Sequence, residues 1–482
     1  MADKAAPHVV SLVLNRVEGD SRVIKTAKSA MNAGFDATIV GVNSVTAVET
    51  VCIEGVKVIR VPNFSKRLAQ IGLWPDLNGR RSLDLLLEGN GRAMLDAIDL
   101  EGIDILHSHD MFGLKLGSMI QEEAAAGGRT LPWVHDLHEY VAGLETGADN
   151  DYRAAALRYE RRYLHEADEL LTVSRALAET VASRYHLEKV PEVVLNAPTV
   201  DHEPLSRRDI RNAVNVPNDA PLIDFVGVAN ELRGCDTIVD ALTHLDGYHL
   251  AFVSQNAFAK DLKKKADAGP AAGRFHLHPY VPSDEVTSFL RTADLGIHGL
   301  VHYPNGEVAL PNKLFEYMHA GLPIISSDVA AMKAFIQEND IGEIYVAGDA
   351  RACADAVRRA YERKDSLRAN ITTELKAEYS WERQSRIIVE SYQRLAAGDR
   401  PRLAREDQVI AIEKRDRATV AADVRLARAA AESSAYFIRS EINAAADAAV
   451  KNWIDARTAI VRKEGPRGLI RRLRAKLSQG RA

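Results

Sequence analysis

The sequence predicts an α/β chain: two Rossmann-like, doubly wound domains facing a cleft, followed by a helical extension at the C-terminus. Three observations carry this expectation. Short apolar runs alternate with amphipathic helical stretches through residues 1–200. The same alternation restarts near Leu222, after a polar, proline-bearing break at Asp201–Asn218. Through residues 401–464 the pattern changes to Ala, Arg, Glu and Asp with almost no Gly or Pro. Alternation of strand and helix implies βαβ units and parallel sheets, and ligands of such sheets bind beyond the carboxyl ends of the strands.

In residues 1–200, strands are expected at Val9–Leu14, Ala37–Val42, Val56–Val61, Ile103–His107 and Trp133–Asp136, then at Leu170–Val173 and Val193–Leu195. Helices fit Arg22–Ala33, Asp84–Ile98, Leu114–Ala126 and Ala176–Tyr185. Residues 201–218 read as the linker. In residues 219–379 the strands are Ile223–Val228, His249–Val253, Arg274–His278, Leu295–Ile297 and Pro323–Ser326. Helices fit Cys235–Leu242, Asp284–Thr292, Lys313–Ala320 and Ala350–Arg363. Ser380–Leu395, within residues 380–400, opens with a cap-like Ser-x-Glu and continues as a helix.

Residues 401–464 carry apolar side chains at a loose helical period, from Val409 and Ile412 to Trp453 and Ile460. An uninterrupted helix there would reach about 90 Å, with too few large apolar residues to specify a coiled coil. Docking along the body and self-association both remain open. Gly465-Pro466 breaks this helix, and residues 465–482 bring Arg467, Arg471, Arg472, Arg474, Lys476 and Arg481 together with Leu469, Ile470, Leu473 and Leu477. A basic amphipathic helix suits anionic lipid headgroups or an acidic partner; a solvated tail is the plain alternative.

The chain has 482 residues, 46% hydrophobic, with a formal charge of −5, which gives no reason to expect a nucleic-acid partner. Cys52, Cys235 and Cys353 lie far apart, so neither a disulfide framework nor a structural zinc is expected and a reducing compartment fits. His8–Leu14 is too short for a secretory h-region, and no apolar run approaches the ~20 residues that span a bilayer. The expectation is a cytoplasmic protein, with the inner face of the membrane as a further location if the basic tail tethers it.

The most informative stretch is Leu310–Ile325, LPNKLFEYMHAGLPII. Pro311 fits a helix's first turn, where its missing N–H costs nothing. Leu314, Phe315 and Met318 recur at helical spacing, Gly321 stops the helix, and Pro323-Ile324-Ile325 begins a strand. Lys313 and Glu316 share a face near the helix N-terminus, whose free amides attract anions. A carboxylate one turn further accepts hydrogen bonds from a diol such as a ribose. An ordinary surface salt bridge is the plain alternative for a Lys–Glu pair at this spacing.

With Pro311, Asn312, Lys313 and Glu316 in the frame PNKLFEY, the segment resembles the donor-binding signature of retaining glycosyltransferases of the GT-B fold, family 4 and its relatives (glycosyl transferases group 1). The resemblance covers roughly residues 8 to 397 and is strongest at 310–325. It implies that Glu316 holds the nucleotide ribose. The family's usual second glutamate, eight positions earlier, is Val308 here, with Glu307 one place off. That departure bears on recognition of the donor sugar.

Other segments resemble family elements in turn. Asn15–Ala27 resembles a DxRV segment in the loop where the domains approach, making Asp20 and Arg22 candidates for acceptor or sugar contact; helix capping plus a surface arginine is the alternative. In Gly227–Gly234, GVANELRG, Gly227 lets the backbone approach a ligand and Arg233 has the fork to grip phosphate oxygens. Arg233 and Lys313 would then neutralise a diphosphate leaving group without a metal. His135-Asp136-Leu137-His138-Glu139 resembles the acceptor-side HD or DxHE motif. There a histidine matching His135 positions the transferred sugar, with His138, Glu139 and Glu307 as further candidates for sugar or acceptor contact. Zinc at two histidines three apart is the rival, but that spacing suits a helix better than a strand end. His107-Ser108-His109-Asp110 also follows a strand, where a polar loop capping the next helix is at least as good a reading as a functional one; Ser174-Arg175 and Asn196–Pro198 read as mainly structural. Asp149-Asn150-Asp151 matches a DxD metal motif only formally, since it precedes a helix it would cap.

The expected function is retaining, metal-independent transfer of a sugar from a nucleotide-diphosphate donor to an acceptor: a glycan, a lipid-linked saccharide or a small molecule. His135, Arg233 and Lys313 are the expected catalytic residues, and no cofactor beyond the donor substrate is expected. A sugar-nucleotide epimerase or hydrolase of the same fold, and a non-catalytic scaffold in a glycan-assembly complex, are the alternatives.

Overall fold

The computed structural model of the chain describes residues 6–43, 47–63, 80–145, 151–200 and 208–400, all within one structural unit, Met1–Ala404. The expectations for residues 401–464 and 465–482, for Asp149-Asn150 and for the first part of the linker lie outside the described residues.

The first sheet has eight strands: β1 (His8–Leu12), β2 (Asp36–Asn43), β3 (Glu49–Ile53), β4 (Val56–Pro62), β5 (Ile105–His109), β6 (Trp133–Leu137), β7 (Glu169–Thr172) and β8 (Glu192–Val193). Their order is β3-β4-β2-β1-β5-β6-β7-β8, parallel except where β3 pairs antiparallel with β4. The second sheet is parallel throughout, in the order β11-β10-β9-β12-β13-β14. It comprises β9 (Leu222–Val226), β10 (His249–Val253), β11 (Phe275–His278), β12 (Leu295–His298), β13 (Ile324–Ser327) and β14 (Gly342–Tyr345). In each sheet the central strand lies beside a change in strand order, the place where a doubly wound sheet opens a crevice.

Seven helices matter to the site: α1 (Ser21–Asn32), α2 (Asp110–Ala126), α3 (Arg175–Tyr185), α4 (Pro304–Val308), α5 (Asn312–His319), α6 (Ala330–Asn339) and α7 (Trp381–Ala396). In α1 the Asp20 side chain caps the helix by accepting from Val23 N at 3.3 Å, and Val23, Ile24, Ala27 and Ala30 turn inward. In α5, Leu314, Phe315, Tyr317 and Met318 are buried, and the chain leaves the helix through Gly321 at φ +75°. Ser380 caps α7, accepting from Arg383 N at 3.3 Å. Trp381, Ile388, Tyr392 and Leu395 of α7 then pack on Val9, Ile105, Val134 and Leu171 of the first sheet. The segment after the second sheet therefore returns to cover one face of the first.

Several elements differ from expectation for identifiable reasons. β5 runs on through Ser108 and His109, both buried, where the sequence reads as a polar loop. β3 alternates partly buried and exposed residues at a sheet edge, so it lacks an apolar run. β14 is only four residues, three of them partly buried. Helix α4, five residues opened by Pro304, is too short to show a period.

Candidate functional site

The C-terminal end of β9 runs into Gly227, whose φ of +128° is a conformation that side chains disfavour. A Cβ there would stand 3.2 Å from Lys313 Cε and 3.4 Å from Arg233 Nη1, so two cations flank a strip of bare backbone. The loop is braced from within. Arg233 N donates to Asn230 Oδ1 at 2.9 Å, Asn256 Nδ2 donates to Ala229 O at 2.6 Å, and Arg233 Nη1 donates to Val228 O at 2.7 Å. On α5, Asn312 Nδ2 donates to Glu316 Oε1 at 3.0 Å, and Lys313 Nζ lies 3.4 Å from Glu316 Oε2. Glu316 is only 6% exposed. Pro311 precedes the helix in extended conformation and sets its start. The sequence-predicted Gly227, Arg233, Pro311, Asn312, Lys313 and Glu316 are thus brought to one place.

Two residues beneath this place escaped sequence reasoning. Asp224, in the middle of β9, is fully buried and neither carboxyl oxygen has a hydrogen-bond partner. Burial, and then the neighbouring Glu316, push its pKa well above the usual carboxylate value. His298 ends β12, stacked on Phe225 with ring centroids 5.8 Å apart, and neither ring nitrogen has a partner. Burial, then Arg233 and Lys313, lower its pKa to about 3, so the imidazole is neutral. The signal was present in each case: a lone polar residue inside or ending an apolar strand.

Glu307 is not free to take the role of the missing family glutamate. Its Oε1 lies 2.6 Å from His302 Nδ1, and its Oε2 accepts from Ala330 N, at the start of α6, at 2.8 Å. Val308 packs against the core of the first domain, and its carbonyl accepts from Ser174 Oγ at 2.6 Å across the cleft.

On the first-sheet side, Arg22 is buried rather than open to a ligand. Its Nε and Nη2 donate to the two oxygens of Asp136 at 2.7 and 2.8 Å, and Nη1 donates to Val194 O at 2.7 Å. Asp20 is spent on the α1 cap and on Asn15 Nδ2, at 2.7 Å. Lys25 likewise ties α1 to the chain leaving the first domain, donating to Asn196 Oδ1 at 2.9 Å and Ala197 O at 2.6 Å.

His135 also departs from expectation. Strand alternation turns it, with Trp133, toward α2, where it is fully buried and its Nδ1 meets Ser108 Oγ at 2.8 Å. Burial lowers its pKa to about 3. A side chain so enclosed does not meet a sugar in the cleft.

His138 sits nearer the surface, between Asp110 Oδ1 at 2.7 Å and Asp136 Oδ2 at 3.4 Å. Burial opposes its charge, but Asp110 and Asp136 outweigh burial and raise its pKa to about 10. Asp110 holds this position with a φ of +64°, rare for a residue with a side chain. The neighbouring Glu139 accepts from Asn305 Nδ2 at 2.6 Å.

His107, His109 and Asp136 bring potential metal-ligating atoms within 4.8 Å of one another. Both oxygens of Asp136 already accept from Arg22, so a dication would sit beside a fixed guanidinium. His107 Nδ1 is paired with the Tyr392 hydroxyl at 2.5 Å. The donor set fits a buried ion-pair network better than a metal.

Comparison with known proteins places this architecture. The sequence model described as "Glycosyl transferases group 1" matches residues 220–363, and that of the "Glycosyl transferase 4-like domain" matches residues 21–197. The chain belongs to the group 1 glycosyltransferases. A D-inositol 3-phosphate glycosyltransferase of Mycobacterium tuberculosis is 24% identical over 306 residues, covering 60% of this chain and 62% of the relative. The match therefore spans about three fifths of that relative's length. Among solved structures, a sucrose-phosphate synthase from Thermosynechococcus elongatus superposes with a TM-score of 0.64 at 15% identity, covering 81% of this chain and 100% of its own. The Anabaena protein HepE, in complex with UDP-glucose, superposes at 0.58 and 13% identity, covering 80% and 99%. These likenesses show that the chain has the GT-B fold. Among the described residues no helix is long and apolar enough to cross a membrane.

Proposed function

We propose that this glycosyltransferase transfers a sugar from a nucleotide-diphosphate donor to an acceptor hydroxyl, with retention of configuration and without a metal ion. The observation that carries this reading is the Gly227 cradle, in which Lys313 and Arg233 stand against bare backbone and Glu316 follows one turn along α5. The two cations would bind the diphosphate and stabilise it as it departs, the charge that grows most in such a transfer. Glu316, already holding Asn312 and Lys313, would accept from the ribose hydroxyls. The likeness to family 4 is what supports retention, and no protein nucleophile is assigned. HepE was solved with UDP-glucose, so a uridine nucleotide is the first donor to try. Three free cysteines suit a reducing, cytoplasmic setting where nucleotide sugars are made.

One observation favours a non-catalytic scaffold instead: Glu307 is engaged elsewhere and Val308 has no carboxylate. A thermal-shift screen separates the readings. UDP, GDP, ADP, CDP and dTDP sugars are tested against wild type and Glu316→Ala. Stabilisation by one nucleotide class, lost in the variant, supports the enzyme. No stabilisation by any of them at millimolar concentration overturns the donor-site reading and leaves the scaffold.

A further inference from the structure

With Val308 apolar and Glu307 bound to His302 and α6, the second domain presents no carboxylate from α4 to the donor sugar. The first domain brings one to the same helix. Glu139 follows β6 by two residues, and its Oε2 accepts from Asn305 Nδ2 of α4 at 2.6 Å. The same Asn305 accepts through Oδ1 from Tyr140 N at 2.8 Å, so one amide fixes both the backbone and the side chain of this turn. The approach is close: a Cβ on Gly143 would stand 2.6 Å from Asn305 N and 2.7 Å from Pro304 Cβ. Among the described residues Glu139 Oε1 has no hydrogen-bond partner, and the side chain is only partly buried. The charges of Asp110, His138 and Arg233 all act on Glu139.

We infer that Glu139, held across the cleft by Asn305, is the carboxylate that accepts a hydrogen bond from a hydroxyl of the transferred sugar, replacing the glutamate that the donor loop lacks. A carboxylate with one oxygen fixed across the cleft and the other left to accept is placed to read a hydroxyl of a sugar bound there. This inference rests on the donor-site reading above, and the experiment keeps the two apart.

Isothermal titration of the full chain compares each nucleotide diphosphate with its sugar: UDP with UDP-glucose, GDP with GDP-mannose, ADP with ADP-glucose, dTDP with dTDP-glucose. Glu139→Gln keeps an oxygen for Asn305 but replaces the open acceptor with a donor. It is expected to leave affinity for the bare diphosphate within about twofold. The affinity gained from the sugar is expected to fall about tenfold to a hundredfold, the size of a charged hydrogen bond. Asn305→Ala, which frees Glu139, should lose part of the same gain. A donor lacking the recognised hydroxyl (the 2-, 3-, 4- and 6-deoxy series) should bind wild type and Glu139→Gln alike. Equal weakening of diphosphate and sugar nucleotide, or no change in either, overturns the role of Glu139 while leaving the donor site standing. No binding of any diphosphate to wild type overturns both.

Discussion

Replacing Arg22 with methionine tests how the first domain carries charge in its interior. Arg22 and Asp136 have side chains 4% and 0% exposed, joined through Nε–Oδ2 at 2.7 Å and Nη2–Oδ1 at 2.8 Å. Burial alone would raise the Asp136 pKa, but Arg22 first, and then His138, hold it well below the usual carboxylate range. Methionine keeps much of the packing volume and removes the charge. Asp136 is left with His138 at 3.4 Å and His109 at 3.4 Å, and Val194 O loses its donor. Breaking a buried pair from one side typically costs about 3–5 kcal/mol. At about 2–4 °C per kcal/mol for a domain of this size, the melting temperature should fall by about 6–20 °C. The assay is a calorimetric or circular-dichroism melt at neutral pH, with Arg22→Met/Asp136→Leu alongside. The double variant should recover most of the loss, because it leaves no unpaired buried carboxylate. A single variant within about 1 kcal/mol of wild type, or a double variant worse than the single, would refute the view that this pair exists to neutralise Asp136.

Three further outcomes follow from the same structure. His138, raised to about 10 by its two aspartates, contributes stability that is complete below its unfolded value of ~6.5 and is lost as pH rises through the folded value. Urea midpoints should therefore fall between about pH 6.5 and 10 by more in wild type than in His138→Gln; parallel profiles would contradict this. Asp224 has the opposite sign to a paired carboxylate. Its raised pKa makes the native state lose stability as pH climbs above the unfolded value of ~3.9. Asp224→Asn should match or exceed wild type in melting temperature at neutral pH, and a large drop would show that the carboxylate has a partner. Gly227→Ala places a Cβ at 3.2 and 3.4 Å from Lys313 and Arg233 on a backbone at φ +128°. It should weaken binding of the donor nucleotide about tenfold, read by titration, through strain on the order of 1–3 kcal/mol shared between fold and site. Unchanged affinity would place the phosphate elsewhere.

The cluster at the start of α5 was legible because its residues are close in sequence. Asn312, Lys313 and Glu316 lie on the first turns of one helix, directly after Pro311, and helical geometry alone brings them together. Gly227 and Arg233 were readable as a loop leaving a strand, and they needed the sheet order only to meet Lys313. The first-sheet side was harder for a physical reason. Residue types at a strand end do not say which side chains turn inward, and a one-residue choice of face decides between cleft and core. His135 faces α2, and Arg22 reaches Asp136 across 114 positions of sequence. The clasp from Asn305 to Glu139 spans 166 positions and depends on a five-residue helix with no periodic signal. Asp224 and His298 were passed over, although each is a polar residue in an apolar strand; only their burial, near Glu316 for one and near Arg233 and Lys313 for the other, gives them a place.

The central claim is that Arg233, Lys313 and Glu316 form a metal-free nucleotide-diphosphate site, and equilibrium titration in the presence of EDTA tests it most directly. The nucleoside diphosphate selected by the thermal screen should bind wild type undiminished under chelation. Lys313→Ala and Glu316→Ala should each weaken it by at least about tenfold without lowering the melting temperature of the free protein by more than a few degrees. Binding abolished by EDTA, or equally tight in both variants, would contradict the account.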